Sequence, residues 1–154
     1  ISIYSSYSVG WSTFWMSLVV LLLWLPLKQK PGIGTILNVI IIAAVLDYAL
    51  PYLPKPEYYG MKIFQVIVGV LVTGLGSGFY LIANLGPGPR DGLMTGIQKL
   101  TGKPIALVRS SIEVIVVFFG WILGGTAGLG TILFALGIGP AVALGIYIVN
   151  KNFK

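Results

Sequence analysis

Long stretches without a charged residue make up most of this chain, and they limit what it can fold into. The sequence has 154 residues, of which 56% are hydrophobic and only 9% are charged. A soluble domain carries about 25% charged residues, so this composition cannot cover a water-exposed surface. Apolar segments of about 20 residues match the thickness of a bilayer's hydrocarbon core. The chain is therefore predicted to be an all-α polytopic membrane protein.

The hydropathy pattern predicts about five transmembrane helices and one short cytoplasmic helix, all within a single transmembrane domain over residues 1–154. Charged residues and clusters of Gly and Pro separate the apolar segments. The predicted spans cover about residues 11–27, 34–50, 63–85, 104–123 and 130–149, and the short helix covers about residues 90–100.

One short phrase occurs twice, each time at the head of an apolar segment. Residues 32–37 read Gly-Ile-Gly-Thr-Ile-Leu, and residues 128–133 read Gly-Leu-Gly-Thr-Ile-Leu. Such self-similarity indicates an internal duplication. Spans one and two then correspond to spans four and five, and the two copies enter the membrane from opposite sides. We expect an inverted-repeat bundle that lacks one N-terminal span of a six-span ancestor.

Lys and Arg are distributed unevenly between the two predicted sides. The side reached after span one receives eight of them, counting Arg109 just inside the membrane, whereas the other side has two. Because cytoplasmic loops are enriched in these residues, the pattern predicts a bacterial cytoplasmic (inner) membrane protein with a cytoplasmic C-terminus. Orientation accounts for the net charge of +6, so we do not expect nucleic-acid binding.

A turn rich in Gly and Pro follows span three and contains Gly86, Gly88 and Pro89. Proline ends a helix because it lacks an N–H and clashes with the preceding turn, yet it suits the first position of the next helix. Arg90 and Asp91 would then open the short helix, where backbone amides and Arg90 could bind an anion. Alternatively, the two residues form a tight cytoplasmic turn that marks the orientation.

Arg109 and Glu113 are the only charged residues well within a predicted span, and their spacing places them on one helical face. Glu113 lies roughly 14 Å from Pro104 at 1.5 Å per residue, near the bilayer midplane. An ionisable residue at this depth usually faces a cavity or a partner. Two hypotheses remain open: a substrate or proton site in which Glu113 titrates, or a pair that neutralises itself and holds span four in the bundle.

Small residues and one proline indicate how the spans pack. The Gly74-x-x-x-Gly78 spacing predicts close helix packing by span three. Gly139 and Pro140 lie in the middle of span five, where a kink is expected. Gly130 belongs to the repeated phrase.

The chain has no Cys and no His. Disulfides, thiolate metal sites and histidine ligands are therefore excluded, and no cofactor or metal is expected. Neither a Ser-His-Asp set nor a Walker-type loop is present, so we do not expect an enzyme.

These motifs together resemble the YczE-like bacterial membrane proteins (the YczE/YyaS/YitT grouping). The resemblance rests on Leu-Gly-Pro-Gly-Pro-Arg-Asp-Gly-Leu-Met at residues 85–94, on Arg109 and Glu113, and on the Gly-rich motifs of residues 120–131 and 138–140. It implies the membrane architecture but no defined activity, since the family is regarded as uncharacterised or transporter-like. It also implies a further turn and span in the first half.

Two functions are consistent with these features. The first is a small-solute transporter or substrate-binding membrane protein, which would bind an anionic small molecule. The second is a non-catalytic accessory or structural subunit of a larger respiratory or photosynthetic complex. The expected partners are the lipid bilayer and either other membrane subunits or further copies of the chain.

Overall fold

The computed structural model describes residues 8–152, and every regular element in that range is a helix. In chain order these are α1 (Val9–Leu22), α2 (Ile33–Ala49), α3 (Tyr59–Ile82), α4 (Pro89–Thr101), α5 (Ile105–Ile122) and α6 (Leu129–Asn152), with one 3-10 turn at Leu50–Tyr52. Helices satisfy their backbone hydrogen bonds internally, which hydrocarbon requires of any structure that spans it. The predicted all-α fold class is confirmed.

Four of the helices, α2, α3, α5 and α6, are long and apolar enough to cross a membrane. The first predicted segment forms a shorter apolar helix, because α1 ends at Leu22 rather than near Leu27. A turn follows, in which Lys28 takes a positive φ of 51°. Helix α4 has 13 residues and carries Arg90, Asp91 and Lys99. This arrangement is that of a multi-pass membrane protein.

The described chain divides into two compact units. Unit 1 contains Ile1–Pro54 and Asn84–Gly96, and unit 2 contains Lys55–Ala83 and Ile97–Lys154. In unit 1, α1 packs against α2. The Asp47 carboxylate of α2 accepts hydrogen bonds from the Ser8 hydroxyl (2.6 Å) and the Gly10 N–H (2.7 Å). A carboxylate is favourable there because the first amides of a helix lack partners within it.

In unit 2, α6 packs against both α3 and α5. Gly74 and Gly78 of α3 face the backbone of Ala141 and Gly145 on α6, so closely that neither glycine has room for a Cβ. The close packing predicted from the Gly74-x-x-x-Gly78 spacing is confirmed. Small residues let two backbones approach and gain dispersion contacts, which help to drive helix association in lipid.

The α1–α2 and α5–α6 hairpins begin and turn at equivalent positions, 96 residues apart. Helices α1 and α5 begin at Val9 and Ile105, and α2 and α6 begin at Ile33 and Leu129. The same turn hydrogen bonds occur in both hairpins: Lys28 N to Leu25 O and Gln29 N to Trp24 O in the first, Gly124 N to Trp121 O and Gly125 N to Gly120 O in the second. The repeated phrase is thus part of a longer repeated backbone pattern.

The helix crossings follow the same register. Gly10 approaches Ala43 in the first hairpin, and Gly139 approaches Ala106 in the second. The two contacts are equivalent, because Gly10 corresponds to Ala106 and Ala43 corresponds to Gly139 at the offset of 96 residues. The glycine lies on the first helix in one hairpin and on the second helix in the other. The two hairpins therefore share their geometry while differing in sequence.

Candidate functional site

The Gly/Pro-rich turn of unit 1 joins α3 to α4. Asn84 (φ 53°) and Gly86 (φ 111°) lie in the left-handed region of backbone conformation. Gly86 suits this position because it carries no Cβ, and the two prolines that follow prevent a helix from continuing. Helix α4 therefore begins anew at Pro89.

This turn lies against the start of α2. The Gly34 N–H donates to the Leu85 carbonyl (2.9 Å), and the Thr35 hydroxyl donates to the Pro87 carbonyl (2.7 Å). Gly32 and Gly34 have no room for a Cβ because the backbone of Leu85 and Gly86 occupies that space. In the first copy, the glycines of the repeated phrase thus form the surface on which the turn packs.

Trp24 and Gly92 fix the beginning of α4. The indole N–H of Trp24 donates to the Pro89 carbonyl (2.9 Å), and Trp24 is only 2% exposed. Its ring fills the space that a side chain at position 92 would need. Gly88 packs in the same way against the Asn38 amide, which lies 2.6 Å from where a Cβ would stand. Sequence patterns did not reveal the roles of Trp24, Thr35 and Asn38, because each lies about 50 or more residues from its partner.

The two charged residues of this turn occupy different environments. Arg90 is exposed, whereas Asp91 is 7% exposed and lies in the first turn of α4. An acidic residue in a first helical turn interacts favourably with the helix dipole. The anion site predicted here stays a prediction.

Thr35→Val is expected to lower the free energy of unfolding by about 1–3 kcal/mol. Thr35 is fully buried, and its hydroxyl also accepts a hydrogen bond from the Gly32 N–H (3.1 Å), so the substitution removes two hydrogen bonds at nearly constant volume. The midpoint of SDS-induced unfolding measures the loss. Thr131→Val is the matched control, since Thr131 holds the same place in the second copy and its hydroxyl makes no hydrogen bond within residues 8–152. Equal losses in both variants would contradict the expectation.

Arg109 and Glu113 form a buried ion pair on α5 of unit 2. Arg109 Nη2 lies 3.1 Å from Glu113 Oε1, and the two side chains are 6% and 4% exposed. The spacing of four residues brings them together on one helical face, as the sequence indicated. Charges at this burial are costly in hydrocarbon, so the pair marks a part of the helix that does not face lipid.

Helix α6 packs against α5 at Ser110, the residue next to Arg109 in the sequence. Gly139 has no room for a Cβ because the Ala106 carbonyl and the Ser110 hydroxyl occupy the space. The Ser110 hydroxyl donates to the Leu136 carbonyl (3.3 Å), and Pro140 lies inside α6. Ser110 was missed in the sequence analysis.

The structure places the predicted site residues in separate units. Gly86, Gly88, Pro89, Arg90 and Asp91 belong to unit 1. The remaining predicted residues belong to unit 2, namely Arg109, Glu113, Gly130, Gly139 and Pro140. Within residues 8–152, no group of three or more Asp or Glu side chains is placed to bind a metal.

Comparison with known proteins places the chain in a family. Residues 1–146 match the family of unknown function DUF6198. The chain belongs to this family. It is 42% identical over 151 residues to an uncharacterised protein of Haemophilus influenzae, a match that covers 98% of this chain and 69% of that protein. It is 37% identical over 126 residues to the uncharacterised membrane protein YczE of Bacillus subtilis, which covers 82% of this chain and 59% of that protein.

The resemblance to YczE-like proteins is therefore confirmed. This DUF6198 chain spans about two thirds of one relative and about three fifths of the other. No solved structure matches it.

Proposed function

We propose that this DUF6198 protein is a small-solute transporter or substrate-binding protein of the bacterial inner membrane, with a cytoplasmic C-terminus and no catalytic activity. The observation that carries the proposal is the buried Arg109–Glu113 pair of α5. Moving two charges out of water costs more free energy than their attraction recovers unless the geometry is good. A buried pair within a predicted membrane span therefore indicates a role beyond stability.

Comparison of the two hairpins supports a functional role for the pair. The positions equivalent to Arg109 and Glu113 in α1 are Thr13 and Ser17. Both hydroxyls donate to carbonyls of their own helix: Thr13 to Val9 O and Ser17 to Thr13 O, each at 2.8 Å. The same hairpin geometry therefore forms without an ion pair, and of the two hairpins only the second carries charges at these positions.

The repeated hairpin also supports the transporter interpretation. Helices α1, α2 and α3 precede α5, and α4 is short and polar. If α4 does not cross the membrane, the chain crosses it three times, through α1, α2 and α3, before α5 begins. The two hairpins then enter the membrane from opposite sides, which makes them inverted repeats. Many secondary transporters are built from such repeats, with the binding site near the bilayer midplane.

In unit 1, the exposed Arg90 at the start of α4 favours the binding of an anion. Helix N-termini and guanidinium groups both stabilise negative charge. The excess of Lys and Arg on the same predicted side is also a positive charge that would attract an anion. The orientation of the spans accounts for that excess as well.

The test is a thermal-shift screen of the purified protein against inorganic phosphate, sulfate, acetate and amino acids. At least one of them is expected to raise the melting temperature, because a ligand at about 100 times its Kd adds about 2.7 kcal/mol of stability. Glu113→Gln is expected to abolish the increase for a ligand bound in unit 2, and Arg90→Ala is expected to abolish it for an anion bound in unit 1. Glu57→Gln is the control, since Glu57 lies exposed in the segment before α3.

Proteoliposome uptake of the radiolabelled compound then separates transport from binding alone. A ligand response that persists in Glu113→Gln would refute the site in unit 2, and one that persists in Arg90→Ala would refute the anion site in unit 1. Stoichiometric co-purification with a large membrane complex, combined with no ligand response, would favour the accessory-subunit role instead.

A further inference from the structure

Proline at position 140 removes one hydrogen bond from the interior of α6. In an α-helix the N–H of residue 140 would donate to the carbonyl of residue 136, and proline has no N–H. The carbonyl of Leu136 therefore needs another donor. In hydrocarbon an unpaired backbone carbonyl is unfavourable, so the helix gains from a donor on a neighbouring element.

Helix α5 provides the missing donor through Ser110. Its hydroxyl donates to the Leu136 carbonyl at 3.3 Å. Gly139 allows this approach, because a side chain at that position would occupy the place of the Ser110 hydroxyl. A hydrogen bond between Ser110 of α5 and Leu136 of α6, made possible by Gly139, thus replaces one that α6 would normally form by itself.

The first hairpin is an internal control for this arrangement. Its residues at the positions of Ser110, Leu136 and Pro140 are Phe14, Ile40 and Ala44. Ala44 keeps its N–H, so α2 can bond the Ile40 carbonyl internally, and no hydroxyl stands at position 14. The second hairpin therefore has both the serine and the proline, and the first hairpin has neither. This is expected if the serine hydroxyl compensates for the hydrogen bond that proline removes.

We propose that Ser110 and Pro140 form a latch, in which α5 supplies the hydrogen bond that α6 lacks, so that rotation of α5 opens a hinge in α6. Arg109 is adjacent to Ser110, and Glu113 lies less than one turn further along the same helix. A rotation of α5 that turns the ion pair also withdraws the Ser110 hydroxyl. Ser110 is in this sense a positioning residue, which links the orientation of the pair to the shape of α6.

The link to binding rests on the proposed function, but the latch can be tested without a ligand. Hydrogen exchange of the intact protein in nanodiscs, followed by mass spectrometry, reports how often the α6 amides open. Ser110→Ala is expected to speed exchange over residues 136–144 by about threefold, the typical effect of one interhelical hydrogen bond in a membrane. Ser111→Ala is the control, because Ser111 is the exposed neighbouring serine on the same helix.

A second background makes the test specific. Pro140→Ala restores the N–H, so Leu136 regains its partner within α6 and the Ser110 hydroxyl is no longer needed. We expect Ser110→Ala to leave exchange unchanged in the Pro140→Ala background. The latch would be refuted if Ser110→Ala behaved like Ser111→Ala, or if it sped exchange equally in both backgrounds. A ligand response that persists in Glu113→Gln would refute only the proposed function, so the two failures are distinguishable.

Discussion

Glu113→Ala is expected to lower the free energy of unfolding by about 3–5 kcal/mol. The substitution removes the carboxylate that pairs with the Arg109 guanidinium, whose side chain is only 6% exposed. Removal of one partner from a buried pair costs far more than the net contribution of the pair. The measurement is the SDS-induced unfolding curve in mixed micelles, in which the four Trp residues report on folding.

The double variant Arg109→Met/Glu113→Leu separates the pair's net contribution to stability from the penalty of removing one of its two partners. Because it removes both charges and keeps much of the volume, it is expected to lose less stability than either single substitution. Glu57→Ala is the control for loss of a carboxylate outside the buried pair. If Glu113→Ala and Glu57→Ala lost equal stability, the buried-pair interpretation would be wrong.

Gly78→Val is expected to disrupt the α3–α6 contact, with a loss of about 3 kcal/mol or more. Even the first carbon of a side chain at position 78 would collide with the backbone of Gly145 and Ile146. Backbone cannot move aside as a flexible side chain can, so the two helices must separate and lose their dispersion contacts. The same unfolding assay measures the loss.

Gly76→Val is the matched control on the same helix. Nothing lies within 4 Å of the position that its Cβ would take, and its φ is not in the left-handed region. The substitution is expected to change stability by less than about 1 kcal/mol, since only the helix propensities of Gly and Val differ there. Comparable losses at both positions would show that valine destabilises α3 for reasons unrelated to its contact with α6.

Local patterns in the sequence were enough to predict the parts of the fold that depend on neighbouring residues. The Gly74-x-x-x-Gly78 spacing predicted a tight helix contact, and the Gly/Pro-rich turn predicted a helix that begins near residue 90. The four-residue spacing of Arg109 and Glu113 indicated a shared face. Each of these follows from helical geometry or from the restricted backbone of proline.

The end of α1 was harder to predict from composition. The apolar run continues to Leu27, but the helix stops at Leu22 and a turn with Lys28 at positive φ follows. Apolar composition alone does not show where a helix ends when no charge interrupts it. The equivalent turn of the second hairpin has Gly124 at the position of Lys28, and a Gly at that place is the ordinary signal for a left-handed helix end.

The sequence by itself determined that the chain is an all-α, YczE-like membrane protein, with a repeated phrase and with Arg109 and Glu113 on one helical face. Only the tertiary structure showed that Thr35 and Trp24 hold the Gly/Pro-rich turn, and that Ser110 bonds the carbonyl freed by Pro140. The physical reason is distance along the chain. Hydropathy and helical spacing act between near neighbours, whereas these hydrogen bonds join residues 26 to 65 positions apart, whose proximity depends on how the helices pack.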